Sequence, residues 1–265
     1  MINDVKPKKA LGQHWLYDDA TLDSICDSAD VGEGDHVLEV GPGLGTLTTM
    51  LLDRGAYVTA VEFDETLAAK LAKSHQHERL TVVHQDILQF DFTTLPTGYK
   101  VVANIPYYLT SNLIRVLCES SNPFSYAALL IQKEVAERVV AEPGQMSLLS
   151  VSAQYYCDVS LGAFVPKELF TPPPKVDSQV LELHFRENPL FTDVDTKQFF
   201  RLVKAGFSQK RKTLHNSLSS GLHLAKPDAL VLLEQADISP SARPQSLSLA
   251  QWHALYTMYV ARTNN

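Results

Sequence analysis

The chain has 265 residues, of which 45% are hydrophobic, and it carries a formal net charge of −7 at pH 7. This apolar content excludes global disorder and suffices for one large domain plus a small one. Apolar runs fall short of the roughly 20 residues that span a membrane, and residues 1–19 hold no apolar segment typical of a secretory signal. We therefore expect a soluble cytoplasmic protein.

From residue 36 onward, short β-branched runs alternate with longer amphipathic runs. The short runs predict strands at 36–41, 57–62, 80–84, 100–104 and 127–132. Between them, residues 44–55, 64–74 and 110–120 have the periodicity of helices. Such alternation indicates βαβ units and a parallel sheet that is covered on both faces, an α/β fold. A further apolar/polar alternation at 178–186 predicts one more strand, with antiparallel pairing as one option.

A glycine-rich loop, "GPGLG", follows the first of these strands. Gly41, Gly43 and Gly45 permit a tight turn and the close approach of a ligand to the backbone. Their spacing differs from the dinucleotide-binding pattern G-x-G-x-x-G, and Pro42 removes one N–H that a pyrophosphate would use. The loop therefore predicts a nucleoside-like ligand, with a plain tight turn as the alternative.

Two carboxylates stand at the ends of the next two predicted strands. Glu62 follows Gly41 by 21 residues, where an acidic side chain can accept hydrogen bonds from both ribose hydroxyls. Asp86 follows the third strand and can accept from the exocyclic amine of a purine. Each alone is an ordinary loop carboxylate, but the carboxyl ends of parallel strands open into one crevice. An adenosine-bearing cofactor without pyrophosphate fits best, which points to S-adenosylmethionine.

The stretch "NIPYYLTS" ends the fourth predicted strand and opens into the same crevice. Methylation of the poorly nucleophilic adenine amine needs acceptors for its N–H groups, and Asn104 with the Ile105 carbonyl, held rigid by Pro106, can supply them. Tyr107 can stack on a base that has left its helix. The role of Tyr108 stays open between base contact and packing, and the alternative for the whole stretch is a turn with two core tyrosines.

Residues 196–262 show helical periodicity without a convincing strand. We therefore expect two domains, a catalytic domain at 1–188 and a helical RNA-binding domain at 189–265. Residues 1–188 hold 14 lysines and arginines against 25 acidic residues, whereas residues 189–265 hold 9 against 5. A local basic face can bind phosphate on an acidic molecule because salt screens distant charges. The predicted phosphate-binding residues are Lys204, Lys210, Arg211 and Lys212, with Arg201 nearby and Lys6, Lys8 and Lys9 as a second contact.

Neither a disulfide framework nor a metal centre is expected. Cys26, Cys118 and Cys157 are odd in number and widely spaced, which predicts three reduced thiols that are mostly buried. The nine histidines show no spacing that is typical of metal ligands.

Several segments, in this order and spacing, resemble one known family. They are "KKALGQHWL", "EVGPGLGTLT", "NIPYYLTS", "QKEVAERVVA", "FTPPPKVDS" and "FSQKRKTLHNSL", between residues 8 and 218. The chain resembles the KsgA-type small-subunit rRNA adenine dimethyltransferases, which are relatives of the erythromycin-resistance methylases. The resemblance implies a class I methyltransferase fold with a seven-stranded, mostly parallel sheet and a small helical C-terminal domain. It also implies N6,N6-dimethylation of two adjacent adenosines in the 3′-terminal hairpin of 16S rRNA, linked to ribosome biogenesis.

The resemblance also assigns site residues. The cofactor positions that it implies are His14, Leu16, Gly41, Glu62, Asp86 and Asn104, to which the loop adds Gly43. Asn104 to Tyr107 match the catalytic motif, and Phe170 matches an aromatic residue that flanks the target base opposite Tyr107. Three departures stand out: Trp15 replaces a phenylalanine, Tyr108 replaces the asparagine of N-L-P-Y-N, and "GQMSLLS" stands where close relatives have "YGRLS" with its arginine.

We expect in-line transfer without a covalent enzyme intermediate, by a monomer that acts on the small ribosomal subunit or its precursor. The first rival is a related enzyme that acts on large-subunit rRNA and confers macrolide resistance. The second is an assembly or transcription factor that uses the fold only to bind RNA. The third is a DNA adenine methylase, which the C-terminal segments disfavour.

Overall fold

A computed structural model describes residues 7–8, 11–188, 190–209 and 211–263. The described chain divides into two compact units, each with its own core. The first contains the residues up to Glu137 together with Cys157–Phe185. The second contains Arg138–Tyr156 and the residues from Arg186 onward.

The first unit is an α/β unit built around one large sheet. In chain order its elements are β1 (Trp15–Leu16), α1 (Asp19–Ser28), β2 (His36–Val40), α2 (Thr46–Asp53), β3 (Tyr57–Glu62), α3 (Glu65–Ser74), β4 (Leu80–His84), β5 (Lys100–Asn104), α4 (Thr110–Cys118), β6 (Tyr126–Gln132) and the greater part of α5 (Lys133–Val139). After an excursion into the second unit, the chain returns as β7 (Cys157–Val165), β8 (Phe170–Thr171) and β9 (Ser178–Phe185).

Seven of these strands form one sheet in the order β4-β3-β2-β5-β6-β9-β7. The pairs from β4 through β6 are parallel, whereas β9 runs antiparallel to both β6 and β7. The expected seven-stranded, mostly parallel sheet is therefore confirmed, including the antiparallel strand near residue 178. The chain moves outward from β2 to β3 and β4, then crosses back to β5 on the other side of β2. This reversal opens a crevice at the carboxyl ends of β2 and β5.

Local sequence explains where the first helices begin. Asp64 accepts hydrogen bonds from the backbone N–H groups of Thr66 and Leu67, which caps the start of α3. Gly45 takes the left-handed conformation immediately before α2. Both helices start directly after a strand and a short loop, so that side chains at the strand ends face the same crevice.

Within the seven-stranded sheet, β7 is the strand that the residue patterns did not predict. Its pairing with β9 shifts register between Leu161 and Phe164, around Gly162, and its burial does not alternate regularly. A bulge breaks the period of two on which strand prediction depends. The short pair β1 and β8 was also not predicted; it joins Trp15 to Thr171 and Leu16 to Phe170.

The second unit is entirely helical among its described residues. It contains α6 (Leu148–Tyr156), α7 (Thr196–Phe207), α8 (Leu214–Gly221), α9 (Lys226–Gln235) and α10 (Leu249–Thr263). Tyr155 packs with its ring 5.2 Å from that of Phe199 and 5.3 Å from that of Phe200. The linear division at 188 places residues 138–156 in the first domain, whereas these aromatic contacts draw the segment into the helical core.

Three global expectations concern thiols, metals and membranes. All three cysteines are buried and none forms a disulfide; the Sγ atoms of Cys118 and Cys157 lie 3.9 Å apart. Within the described ranges, no group of three or more metal-ligating side chains comes together. No helix in this part of the chain is both long and apolar enough to cross a bilayer.

Candidate active site

A cavity with about 250 Å³ of water-accessible space lies at the carboxyl ends of the central parallel strands. Of the residues that the structure describes, only those of the first unit line it. The structure brings together every predicted catalytic and cofactor-binding residue in its wall: His14, Leu16, Gly41, Gly43, Glu62, Asp86, Asn104, Ile105, Pro106, Tyr107 and Phe170. The position agrees with the crevice that the strand reversal creates.

The glycine loop forms one wall of this cavity. The backbone φ angles of Gly41, Gly43 and Gly45 are +67°, +58° and +83°, values that residues with a Cβ rarely adopt. A Cβ on Gly43 would lie 2.7 Å from the ring of Trp15, and one on Gly45 would lie 2.6 Å from Leu71. Nothing stands within 4 Å of the same position at Gly41. The loop is thus closely packed on one side and leaves an open cradle beside Gly41.

The Glu62 carboxylate is held at the end of β3 by the backbone. Its Oε2 accepts from the N–H of Gly43 at 3.1 Å and its Oε1 from the N–H of Asp64 at 2.8 Å. Burial raises the pKa of Glu62, and these two N–H donors oppose that rise. The carboxylate is therefore fixed in place beside the glycine loop, where a ribose would meet it.

Glu39 is a second buried acid of the cavity wall, and sequence analysis did not single it out. Its side chain is 1% exposed, and its Oε2 accepts from the hydroxyl of Thr48 at 2.6 Å. Its Oε1 has no hydrogen-bond partner among the described residues. Burial raises the pKa of Glu39 to about 8. The signal that reveals it is a charged residue inside the apolar strand "HVLEV".

Asp86 stands after β4 at the start of a short 3₁₀ turn, Ile87–Gln89. Its Oδ1 accepts from the backbone N–H of Leu88 at 3.0 Å, which fixes the side chain at the cavity wall. One carboxylate oxygen is thus used by the turn, while Oδ2 is left for a ligand amine.

The N-terminal segment lines the cavity beside Asn104. The amide nitrogen of Asn104 donates to the backbone carbonyl of His14 at 3.4 Å. No described residue donates to its Oδ1, so the amide oxygen keeps its capacity to accept. The His14 ring is held at Nδ1 by the carbonyl of Pro172, at 2.7 Å. Lys8 forms an ion pair of 2.7 Å with Asp64, and its contact with phosphate stays a prediction. Lys6 and Lys9 lie outside the described residues.

Two aromatic rings complete the cavity wall. The Tyr107 hydroxyl shares a hydrogen bond of 3.0 Å with that of Ser178, and Ser178 is fully buried at the start of β9. Burial raises the pKa of Tyr107, so its phenol stays protonated. Phe170 is buried in β8 beside Leu16. The site thus combines an amide oxygen, buried and half-buried carboxyl groups and two fixed aromatic rings.

The comparisons with known proteins agree with this geometry. The family described as Ribosomal RNA adenine dimethylase matches residues 5–260.

The chain belongs to the ribosomal RNA adenine dimethylase family.

The prediction of a methylating enzyme of this family is thereby confirmed, and so is the class I methyltransferase fold.

The curated relatives in this family carry a more specific name. "Ribosomal RNA small subunit methyltransferase A" from Dehalococcoides mccartyi strain CBDB1 is 39% identical over 259 residues, covering 96% of this chain and 89% of the relative. The protein of the same name from Streptococcus pneumoniae strain R6 is 39% identical over 261 residues, covering 94% and 90%.

Two solved structures are similar over nearly the whole chain. A dimethyladenosine transferase from Plasmodium falciparum gives a TM-score of 0.79 at 28% identity, covering 94% of this chain and 98% of that one. The 23S rRNA methyltransferase ErmE gives 0.73 at 28% identity, covering 92% and 98%. The fold of this dimethylase is therefore shared by enzymes named for different rRNA or adenosine substrates.

Two exposed aromatic residues of the cavity in this dimethylase were not assigned a role from the sequence. Phe63, directly after Glu62, is 59% exposed and lines the cavity. Tyr108 is 64% exposed and also lines it. The packing alternative for Tyr108 is therefore wrong, because its ring is not in the core. The sequence does not show whether an aromatic residue that follows a strand is exposed or buried. The tertiary structure is needed to identify Phe63 and Tyr108 as exposed.

The predicted phosphate-binding residues of the dimethylase lie in the second unit. Lys204, Arg211 and Lys212 are exposed, whereas Lys210 lies outside the described residues. On α7, Lys197, Arg201 and Lys204 follow at intervals of four and three, which places all three on one helix face. Lys197 was missed in the sequence because a single lysine near a helix start is unremarkable.

Proposed function

We propose that this chain transfers methyl groups from S-adenosylmethionine to N6 of two adjacent adenosines in the 3′-terminal hairpin of 16S rRNA. The observation that carries the proposal is the cavity in which Asn104, Tyr107 and Phe170 meet the glycine loop and Glu62. The relatives at 39% identity, named for the small subunit, support this substrate over other rRNAs. We also propose that the protein acts as a monomer in the cytoplasm on the small subunit or its precursor.

The residues present fit S-adenosylmethionine. The open cradle beside Gly41 admits a ligand against the backbone, and the fixed Glu62 carboxylate offers both oxygens near that cradle. The Oε1 of Glu39, to which no described residue hydrogen bonds, is a buried polar atom in the same wall. Asp86 has an oxygen available for the adenine amine. The bound cofactor supplies an electrophilic methyl group on a sulfonium, and the protein's part is placement.

In this mechanism Asn104 and Ile105 prepare the target amine. The Asn104 amide is oriented because its nitrogen donates to the His14 carbonyl, which leaves Oδ1 to accept one N6 hydrogen. The Ile105 carbonyl accepts the other. These two acceptors keep the nitrogen lone pair out of conjugation with the ring as the nitrogen becomes tetrahedral. No charged base is required at the moment of transfer, and positioning supplies the greater part of the effect.

Tyr107 and Phe170 hold the base that has left its helix. Tyr107 is fixed through Ser178, so its ring offers a rigid stacking face, a contact worth about 1–3 kcal/mol per base. Phe170 is fixed by the pairing of β8 with β1. Because the product carries two methyl groups on each nitrogen, the space between these rings must also admit a methylated base.

The second unit supplies the proposed rRNA-binding face. Among the described residues, the basic side chains on α7 and just beyond it form no ion pair with an acidic residue, and all of them are exposed. Each such contact releases counterions from the phosphate backbone, which makes binding depend steeply on salt. The face is described by Lys197, Arg201, Lys204, Arg211 and Lys212.

The test is transfer of labelled methyl groups to small ribosomal subunits from a strain that lacks the modification, comparing wild type with Asn104→Ala. Incorporation at two adjacent adenosines of the 3′ hairpin by wild type alone would support the proposal. Asn104→Gln is the matched control. It keeps an amide at this position but moves it by one methylene group, so it tests whether the placement of the amide matters. Absence of incorporation by wild type, with subunit binding retained, would favour a binding-only assembly factor instead.

Large-subunit rRNA is the second candidate substrate, because the fold is similar to that of ErmE at a TM-score of 0.73. The same assay with large subunits from an unmodified strain separates the two. Labelling of the large subunit alone would overturn the small-subunit proposal while leaving the methyltransferase activity intact.

A further inference from the structure

Tyr108 has a position that the proposed mechanism does not use. Its side chain is 64% exposed at the cavity wall. Among the residues that the structure describes, none hydrogen bonds with it or stacks on it. One edge of its ring lies near the N-terminal segment, since a Cβ on Gly12 would stand 3.8 Å from Cε1. The ring is therefore supported at one edge and open to solvent elsewhere.

Local backbone geometry separates Tyr108 from its neighbour. Tyr107–Leu109 form a single 3₁₀ turn that follows Pro106, and the N–H of Leu109 donates to the Pro106 carbonyl at 3.0 Å. With three residues per turn, consecutive side chains point about 120° apart. Tyr107 is tied inward to Ser178, so Tyr108 points away from that interior position. The two tyrosines thus offer two aromatic surfaces, one inside the cavity and one at its rim.

We propose that Tyr108 stacks on the base next to the adenosine that occupies the cavity. This inference rests on the proposed function, because it requires an RNA target with one base removed from its stack. Removal of that base leaves its neighbour with one unstacked face, and every base has an aromatic face that a tyrosine can cover. An exposed, unpartnered ring beside the target cavity is suited to that contact.

The proposed pair of adjacent adenosines makes this contact useful at both stages of the reaction. When either adenosine enters the cavity, the other is one of its two neighbours. A purine at the rim offers a larger stacking area than a pyrimidine. Tyr108 would therefore favour targets in which a purine adjoins the adenosine, and it is a specificity residue of this chain where the family motif usually has asparagine.

Stacking can be measured directly with a hairpin RNA in which 2-aminopurine replaces each of the two adenosines in turn. The fluorescence of 2-aminopurine is quenched when its ring stacks. The variants are Tyr108→Asn, which removes the ring, Tyr108→Phe, which keeps it, and Tyr57→Ala. Tyr57 is 43% exposed at the start of β3, the end of the sheet away from the cavity. KM and kcat for small subunits are measured for the same four proteins.

We expect wild type and Tyr108→Phe to quench at least one of the two RNAs, and Tyr108→Asn to lose that quenching. The KM of Tyr108→Asn should rise by at least about fivefold, with the loss in KM rather than in kcat. Tyr57→Ala should behave as wild type.

Three results would overturn the inference. The first is that Tyr108→Asn keeps the quenching and the KM of wild type, and the second is that Tyr108→Phe loses as much quenching as Tyr108→Asn. The third is that Tyr108→Asn binds S-adenosylmethionine more weakly but retains the quenching. If wild type methylates no adenosine, the proposed function fails, yet quenching still decides whether Tyr108 stacks on RNA. The two failures are therefore distinguishable.

Discussion

Replacement of Glu39 by glutamine should remove a pH dependence of folding that the buried carboxyl imposes. Burial raises the pKa of Glu39 from its ordinary 4.5 to about 8, because ionisation there loses hydration and Thr48 alone among the described residues donates to it. The folded protein then binds this proton more tightly than the unfolded chain does. Proton binding by Glu39 therefore stabilises the folded protein. This stabilisation is fully present below pH 4.5 and is lost as the pH rises through about 8.

The magnitude follows from the size of the shift. At about 1.4 kcal/mol per pKa unit, the change from 4.5 to about 8 corresponds to roughly 5 kcal/mol over the whole window. Between pH 5 and pH 8 the part that is lost amounts to about 3 kcal/mol. Glutamine has nearly the same shape and cannot ionise, so the stability of the variant lacks this dependence on pH.

The assay is urea unfolding of the cofactor-free protein at pH 5, 6, 7 and 8 for wild type and Glu39→Gln. The difference between their free energies of unfolding isolates the effect of Glu39. Other titrating groups contribute equally to both proteins, and the cost of burying the glutamine amide does not change with pH. Wild type should lose about 3 kcal/mol relative to the variant across this range. Glu234→Gln, at an exposed position on α9, serves as the control and should show no such trend. A flat difference for Glu39→Gln would refute the reasoning.

Three further predictions concern positioning, packing and RNA binding. Ser178→Ala removes the hydroxyl that fixes Tyr107, and kcat/KM for small subunits should fall by about 2- to 10-fold, as expected for one hydrogen bond. Gly206→Ala should destabilise the helical unit by about 1–3 kcal/mol in thermal or urea unfolding, because the new Cβ would clash with the ring of Trp252. Lys204→Gln should weaken rRNA binding and lower the slope of log K against log salt by about one, as expected for one lost phosphate contact.

Each of these three has a control that can contradict it. Tyr107→Phe combined with Ser178→Ala should lose no more activity than either single change, and additive losses would show that Ser178 does not act through Tyr107. Gly32→Ala meets only an ordinary contact of 3.8 Å and should be nearly neutral; equal destabilisation at both glycines would argue against a packing clash. Lys73→Gln, at an exposed position on α3, should leave the salt slope unchanged. An unchanged slope in Lys204→Gln as well would remove Lys204 from the phosphate-binding face.

The parallel strands and their helices were predictable because their signals are local. The run "YVTAVE", which forms β3, is rich in β-branched and apolar residues. This composition is typical of a strand in a sheet that is covered on both faces, and it can be recognised without knowledge of the rest of the chain. The strand β7 was missed because its bulge around Gly162 breaks the alternation. The placement of residues 138–156 in the helical unit depends on contacts of Tyr155 with residues more than 40 positions away, which no local period reports.

By itself, the sequence determined the family, the α/β fold and the acidic and amide residues at the strand ends. Gly41, Glu62 and Asn104 could be grouped because parallel strands deliver their carboxyl ends to one edge. Only the tertiary structure decided that Glu39 is buried with one oxygen to which no described residue hydrogen bonds, that Ser178 holds Tyr107, and that adjacent tyrosines face different surroundings. The physical reason is that strand ends follow from near-neighbour patterns, whereas burial, proton affinity and side-chain direction depend on groups that only long-range packing brings together.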